Sequence, residues 1–303
     1  MPIKRRIFFS LPGDQWLSDK QNDFKWGLVE EIEKWGYAAE IFTDPTGREG
    51  LAAGRAWSAV DALAVMKKCI GAVLIGLPRW SFTTDRGTTK LPTDYCHYEG
   101  AMAYTLGLPV LVTIQKDVLH RVVFDHSYKG QIAEFPDSAD RSWLNTKNFQ
   151  VPLQHWKRQL DDRRDIFLGY CSGSTGTAKK LKAFFTDDAG VKVLDWQTDL
   201  QVAGNILEQI GEAASRCSAG IFLFTGDDTL TDEGKGERIV TRDNVVFEAG
   251  YFIHAKGKGH ILIVRETGVK LPADLGGDIY VPLQDRSDIG PIKELLHRFV
   301  NNL

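Results

Sequence analysis

Cysteine is scarce, with four residues in 303: Cys69, Cys96, Cys171 and Cys217. None stands in a C-x-x-C pair or at a metal-ligand spacing. That removes disulfide scaffolds and zinc modules and leaves reduced, buried thiols of a cytoplasmic protein as the expectation. An excess of one charge is lacking too. Lys and Arg number 37 against 40 Asp and Glu, a net charge of −3, so no global basic field points to nucleic acid. No apolar run approaches the ~20 residues of a membrane helix, and the start, through Arg6 and Ile7, lacks the shape of a cleavable signal. A cytoplasmic protein engaging neither nucleic acid nor membrane is expected. The seven histidines form no metal pattern, His120 and His126 being too loosely spaced to argue from, so no metal is expected.

What is present is ordinary globular composition, 43% hydrophobic and 25% charged, over a two-domain length at roughly 150 residues per domain. Tryptophan is unevenly placed: seven of eight precede residue 160, and only Trp196 follows. The two halves therefore differ in the chemistry of their surfaces or cores.

Ile7 to Ser10 reads as a short strand stopped by Pro12 and Gly13, and the apolar positions of 26–35 recur at helical spacing up to Gly36. Strands at 38–42, 72–75 and 109–114 alternate with helices at 59–68 and 98–106. The second half repeats the order, with strands at 166–168, 191–194, 220–224 and 261–264 and helices at 178–185, 203–216 and 247–255. This alternation predicts an α/β protein of two tandem doubly wound parallel-sheet domains, flavodoxin-like in type. The charged run Lys157 to Arg164 is either a linker or the solvated face of a helix. The linker reading divides the chain into 1–156, 157–164 and 165–303.

The halves look like copies. The run from Lys68 to Gly76 answers that from Arg216 to Phe224, with Cys69 against Cys217, and Tyr98-Glu99-Gly100 answers Phe247-Glu248-Ala249-Gly250. A repeat of this size is a duplicated domain and not a solenoid. Glu248 is expected in the first turn of a helix, beneath a polar loop at 226–240 that leaves the carboxyl end of a strand, where open α/β sheets bind ligands. A carboxylate there can face a ribose, with Arg242 and Asn244 as donors to phosphate and hydroxyl oxygens; equally, it can be a plain helix-start charge. The glycine-rich turn Gly173 to Lys180 is neither a Walker A loop nor a dinucleotide fingerprint, because neither spacing is met.

The stretch Arg242-Asp243-Asn244-Val245-Val246-Phe247-Glu248-Ala249-Gly250-Tyr251-Phe252 resembles the signature of TIR-like nucleotide-binding domains, those fused to STING in bacterial anti-phage (CBASS) effectors. Three more blocks agree in order: Ile166 to Leu168 with the Ser172-Gly173 loop, Phe224 to Asp228, and Leu271 to Gly277. Ala249 and Gly226 depart from the usual Leu and Pro. The resemblance covers 165–303 and implies an NAD+ glycohydrolase, with NAD+ as substrate and no cofactor. Scission of the nicotinamide–ribose bond passes through an oxocarbenium-like state that one carboxylate stabilises, and nicotinamide leaves neutral. Glu248 is then the catalytic group. Phe167, Ser172 and Gly173 contact nicotinamide or ribose, and Asp227, Asp228, Arg242 and Asn244 shape the dinucleotide pocket. Trp196 walls it by stacking or belongs to the core. Homo-oligomerisation on activation is implied as well.

In the first half, Asp94 to Val110 is similar to the nucleoside 2-deoxyribosyltransferase-like fold, where a Glu-Gly helix start marks the catalytic glutamate, here Glu99. Ile7 to Gly13 fits that fold's first strand and loop. Three roles compete: a sensor of a cyclic nucleotide or related signal, a second glycosidic-bond enzyme using Glu99, and a degenerate copy used in assembly. The sensor is preferred, because an NAD+-consuming effector needs control. On the loop after Ile75, Arg79 offers a phosphate partner and Trp80 a stacking face for a base, with Trp16 as the other face. Two readings of the whole chain stay open beside the NADase: a non-catalytic nucleotide-binding scaffold, and a nucleoside or nucleotide hydrolase-transferase acting through Glu99.

Overall fold

The computed structural model of the chain describes residues 4–42, 44–85, 87–127, 132–199, 205–232, 236–271, 275 and 280–303, with backbone only at 230–232 and 236–238. Residues 4–162 and 163–303 form two compact units.

The first unit runs β1 (Arg6–Ser10), α1 (Asp19–Lys34), β2 (Ala38–Glu40), α2 (Ala59–Met66), β3 (Gly71–Gly76), β4 (Trp80–Thr84), β5 (Gly87–Leu91), α3 (Asp94–Thr105), β6 (Val110–Gln115), β7 (Ile132–Phe135) and α4 (Lys147–Asp161). Its parallel sheet has the order β2-β1-β3-β6-β7. The central β3 is buried along its whole length, as a strand covered on both faces by helices must be. Helix starts follow local chemistry. Ser18 and Gln21 form a reciprocal capping box on α1, and the Ser58 and Thr93 hydroxyls accept from backbone N–H groups opening α2 and α3. Against one face pack Phe24, Phe135 and Phe149, with Phe24 stacked on Phe135 at 4.1 Å between ring centroids.

The second unit repeats the plan with β8 (Arg164–Gly169), α5 (Thr175–Ala183), β9 (Val193–Asp195), α6 (Trp196–Asp199), α7 (Ile206–Arg216), β10 (Cys217–Phe224), β11 (Asp228–Asp232), β12 (Gly236–Val240), α8 (Asp243–Lys256), β13 (Ile261–Glu266), β14 (Tyr280–Leu283) and α9 (Lys293–Asn301). Its sheet order, β9-β8-β10-β13-β14, is that of the first unit element for element. The two doubly wound domains expected from the alternation are therefore present. In each, the chain reverses direction across the sheet at the first strand, so a crevice opens beside that strand's carboxyl end.

Three expectations are corrected. Residues 157–164 are no linker: 157–161 finish α4, and Arg164 opens β8. Phe149, Leu153, Trp156 and Leu160 bury one stripe of α4 against the sheet, and the charges are its solvated face. The loops at 77–91 and 226–240 each hold an antiparallel hairpin, β4-β5 and β11-β12. β4 is exposed throughout, so it shows no apolar alternation to betray a strand. Finally, α3 and α8 begin four residues before the expected 98 and 247, which places Glu99 and Glu248 each at the sixth helical position.

Gly71 lies where Leu160 of α4 packs onto the sheet. A Cβ there would stand 2.5 Å from Leu160 Cδ2 and 3.2 Å from the Pro109 carbonyl oxygen. Gly71→Ala should destabilise the first unit by about 1–3 kcal/mol, read as a lower denaturant midpoint of the full chain.

Candidate functional site

In the second unit, β8 ends at Gly169 and β10 at Phe224, and between these ends opens a cavity of about 560 Å³. Glu248 projects into it from α8 and is only 9% exposed. Its Oε2 has no hydrogen-bond partner among the described residues. Burial alone pushes its carboxyl up to about 7. An acceptor buried without a partner costs free energy unless something else satisfies it. On the opposite wall the Trp196 indole Nε1 is likewise buried without a partner. One cavity thus keeps a bare acceptor and a bare donor.

The room for the carboxylate comes from the sheet. A Cβ on Gly169 would stand 2.9 Å from Glu248 Oε2 and 2.7 Å from Phe222 Cδ1. Phe167, stacked on Phe252 at 4.8 Å, forms the apolar floor. Arg242 caps the start of α8 and lines the rim with Asn244. Its guanidinium pairs with Asp228 at 3.2 Å on the exposed side, a contact of the kind worth little in water.

Of the residues expected at this site, Phe167, Ser172, Trp196, Arg242, Asn244 and Glu248 line the cavity, and Gly173, Asp227 and Asp228 do not. Asp227 lies below it as a post. It accepts from Cys171 Sγ at 2.7 Å and from the Thr225 hydroxyl, and Arg286 approaches at 3.3 Å. A Cβ on Gly173 would meet Asp227 Oδ1 at 2.9 Å, so that glycine permits the loop to close over the post. Tyr170, Cys171, Gln197 and Gln209 also line the cavity and carried no signal in the sequence. Glu248 is not in the first turn of α8 but one turn further in, so a helix-dipole role does not account for it. In the block Leu271 to Gly277, residues 272–274, 276 and 277 lie outside the described residues; Leu271 and Leu275 pack against the core that contains Phe167.

Residues 165–285 match the family model for the CAP12/Pycsar effector protein, TIR domain. The second unit is a TIR-like domain. Among curated relatives, the chain is 25% identical over 170 residues to the uncharacterized protein YuaY of Escherichia coli strain K12, covering 55% of this chain and 56% of that protein. It is 29% identical over 146 residues to the Pycsar effector protein BcPycTIR of Burkholderia cepacia, 46% and 48%. It is 31% identical over 113 residues to CD-NTase-associated protein 12 of a Lachnospiraceae bacterium, strain RUG226, 37% and 35%. The chain thus spans about half, or less, of the length of the relatives it matches.

The first unit carries a counterpart to the TIR-like domain's cavity, of about 430 Å³, with Glu99 on its wall. Glu99 is buried, and burial pushes it up to about 7. Its surroundings differ, however. Ser10 Oγ donates to Oε2, and Trp57 Nε1 donates to Oε1 at 2.7 Å. The registers explain the difference. Ile7 pairs with Gly71 and Ser10 with Leu74, while Ile166 pairs with Ala219 and Gly169 with Phe222. Ser10 and Gly169 therefore hold the same place in the two sheets. Where the first unit puts a hydroxyl on its glutamate, the TIR-like domain puts a hydrogen atom.

The expected stacking pair is corrected. Trp16 and Trp80 do not offer two faces to a base: both flank the Arg79 guanidinium, with ring centroids 3.6 and 4.3 Å from its central carbon. Trp16, Arg79 and Glu99 line the cavity, and Trp80 backs Arg79 from outside it. The histidines set aside in sequence do meet. His126 Nε2 lies 3.3 Å from His120 Nδ1 and 3.0 Å from Glu134 Oε1, so these three offer ligand atoms for a metal. The His126 side chain is 64% exposed, and direct hydrogen bonding within the trio accounts for the arrangement.

Two outcomes follow for the TIR-like domain. A free glutamate titrates near 4.3 and Glu248 near 7. Between those values the folded chain holds a proton that the unfolded chain has released, so stability falls as pH rises through that window. Glu248→Gln, which cannot ionise, should match wild type at pH 4 and exceed it at pH 8 by on the order of 1–3 kcal/mol in chemical denaturation. Gly169→Ala should do the reverse, costing about 1–3 kcal/mol by overpacking, again read from denaturant midpoints.

Proposed function

We propose that the TIR-like domain is an NAD+ glycohydrolase, and that the chain is a cytoplasmic effector of bacterial anti-phage defence controlled through its first unit by a nucleotide-type ligand or by assembly. One observation supports this above the rest: a carboxylate buried with a bare oxygen, facing a cavity with an aromatic wall and floor and a cationic rim. The names of two relatives, a Pycsar effector and a CD-NTase-associated protein, fit the effector role.

The chemistry asks for one anionic group. The C1′–N bond breaks with its electron pair going to the pyridinium nitrogen, so nicotinamide departs neutral and needs no acid. Positive charge develops on C1′ and the ring oxygen, and ionised Glu248, itself buried, stabilises it. Water then adds its oxygen to C1′ and releases a proton, giving ADP-ribose. Phe167 and Trp196 would hold the nicotinamide end, and Arg242 with Asn244 the phosphates and hydroxyls. Because the working form is ionised, activity should rise with pH through about 7.

Nicotinamide release from NAD+ by the purified full chain tests the reading, at several protein concentrations and with and without cyclic nucleotides. Glu248→Gln should lower release at least about 100-fold and Glu99→Gln should not abolish it, with release per molecule rising with concentration or ligand. Release lost only in Glu99→Gln would transfer the chemistry to the first unit. No release under any condition would leave a binding scaffold.

A further inference from the structure

Arg79 is the one cationic side chain among the described residues that line the cavity of the first unit. Indoles lie against the flat faces of the guanidinium. An arginine stacked in this way keeps the N–H groups of its edge for a ligand, in the fork geometry that suits phosphate. No carboxylate pairs with Arg79 among the described residues, although the chain carries more acids than bases. Trp16 and Tyr95 stand more than half exposed at the mouth, at 52% and 55%. Trp57 lies edge-on to Tyr95 at 4.5 Å. Exposed aromatic surface around a free guanidinium has the composition of a site that stacks a base while gripping its phosphate.

At the inner end stands Glu99. Each of its oxygens already accepts one bond from the protein, and each has a further lone pair to accept from a ligand. An ionised carboxylate donates nothing, so what it selects is a hydroxyl, as on a ribose. It is poorly placed to cleave. Ordinary nucleobases leave as anions and need a proton donor, and no histidine or second carboxylate joins Glu99 among the described residues of the cavity lining. The Ser10 hydroxyl further disperses the charge that attack or stabilisation would use. The TIR-like domain, with Gly169 at the same register position, has none of this restraint.

We infer that the first unit is a non-hydrolysing receptor for a ribonucleotide, with Arg79 on its phosphate, Glu99 on its ribose hydroxyls and the exposed aromatic rim on its base. This deepens the control role proposed above by naming the ligand class and its anchor, and it does not depend on what the TIR-like domain cleaves.

The test is calorimetric titration of the full-length Glu248→Gln chain, which separates this question from NAD+ turnover. The probes are the four ribonucleoside 5′-monophosphates, their 3′,5′-cyclic forms, the matching 2′-deoxy 5′-monophosphates and inorganic phosphate. At least one ribonucleotide should bind. Adding Arg79→Ala should weaken it at least about tenfold, with Arg79→Lys falling between and the unfolding midpoint unchanged. The 2′-deoxy counterpart should bind more weakly, and chromatography should recover the nucleotide intact after incubation with wild type. Absence of nucleotide binding overturns the inference, as does binding indifferent to Arg79. Phosphate binding as tightly as the best nucleotide would make this a plain anion site. Free base released by wild type but not by Glu99→Gln would make it an enzyme.

Discussion

A carboxylate held out of water without a partner is the constraint around which the TIR-like domain is arranged. Glu248 is strained in the electrostatic sense: its ionised form is penalised by burial and relieved by no hydrogen bond to its Oε2. The fold supplies what that needs. A continuous apolar sheet makes the dry surroundings, a helix begun one turn earlier points the side chain inward, and a glycine at the end of β8 leaves the space. Burial of an unpartnered carboxylate gives up stability locally, an arrangement that recurs at functional sites.

The first unit shows the same frame with a glutamate that is equally buried but hydrogen-bonded. Strand order, the hairpin after the third strand and the helical position of the glutamate are all retained. Two donors now satisfy the carboxylate, and an arginine stacked on indoles faces the same opening. One of those donors, Ser10, holds the register position that Gly169 holds in the other sheet, and Trp57 supplies the second. Duplicated domains diverge most readily in this way, since the sheet that places the site is left untouched and only side chains at its edge change.

The tryptophan asymmetry takes a narrower meaning in this light. Trp156 is buried in the first core, and Trp26, Trp35 and Trp143 pack against it. Only Trp16, Trp57 and Trp80 gather at the cavity and its anchor. Much of the excess is therefore packing, and the remainder stands on the loops and hairpin at the carboxyl edge of the sheet.

Periodicity determined the alternation of strands and helices, because buried parallel strands and amphipathic helices must show their apolar runs in any context. The repeat was legible for the same reason, and so was Glu248, through a motif continuous along one helix. The hairpin strand β4, exposed throughout, left no such trace, nor did the charged end of α4, whose buried stripe was visible only against a sheet. What surrounds each glutamate was decided by tertiary structure alone. Ser10 and Glu99 lie 89 residues apart in sequence, and only the tertiary fold brings such groups within hydrogen-bond reach. A sequence records which groups are available; whether a carboxylate is held or left bare depends on distances of a few ångströms that the pairing of strands sets.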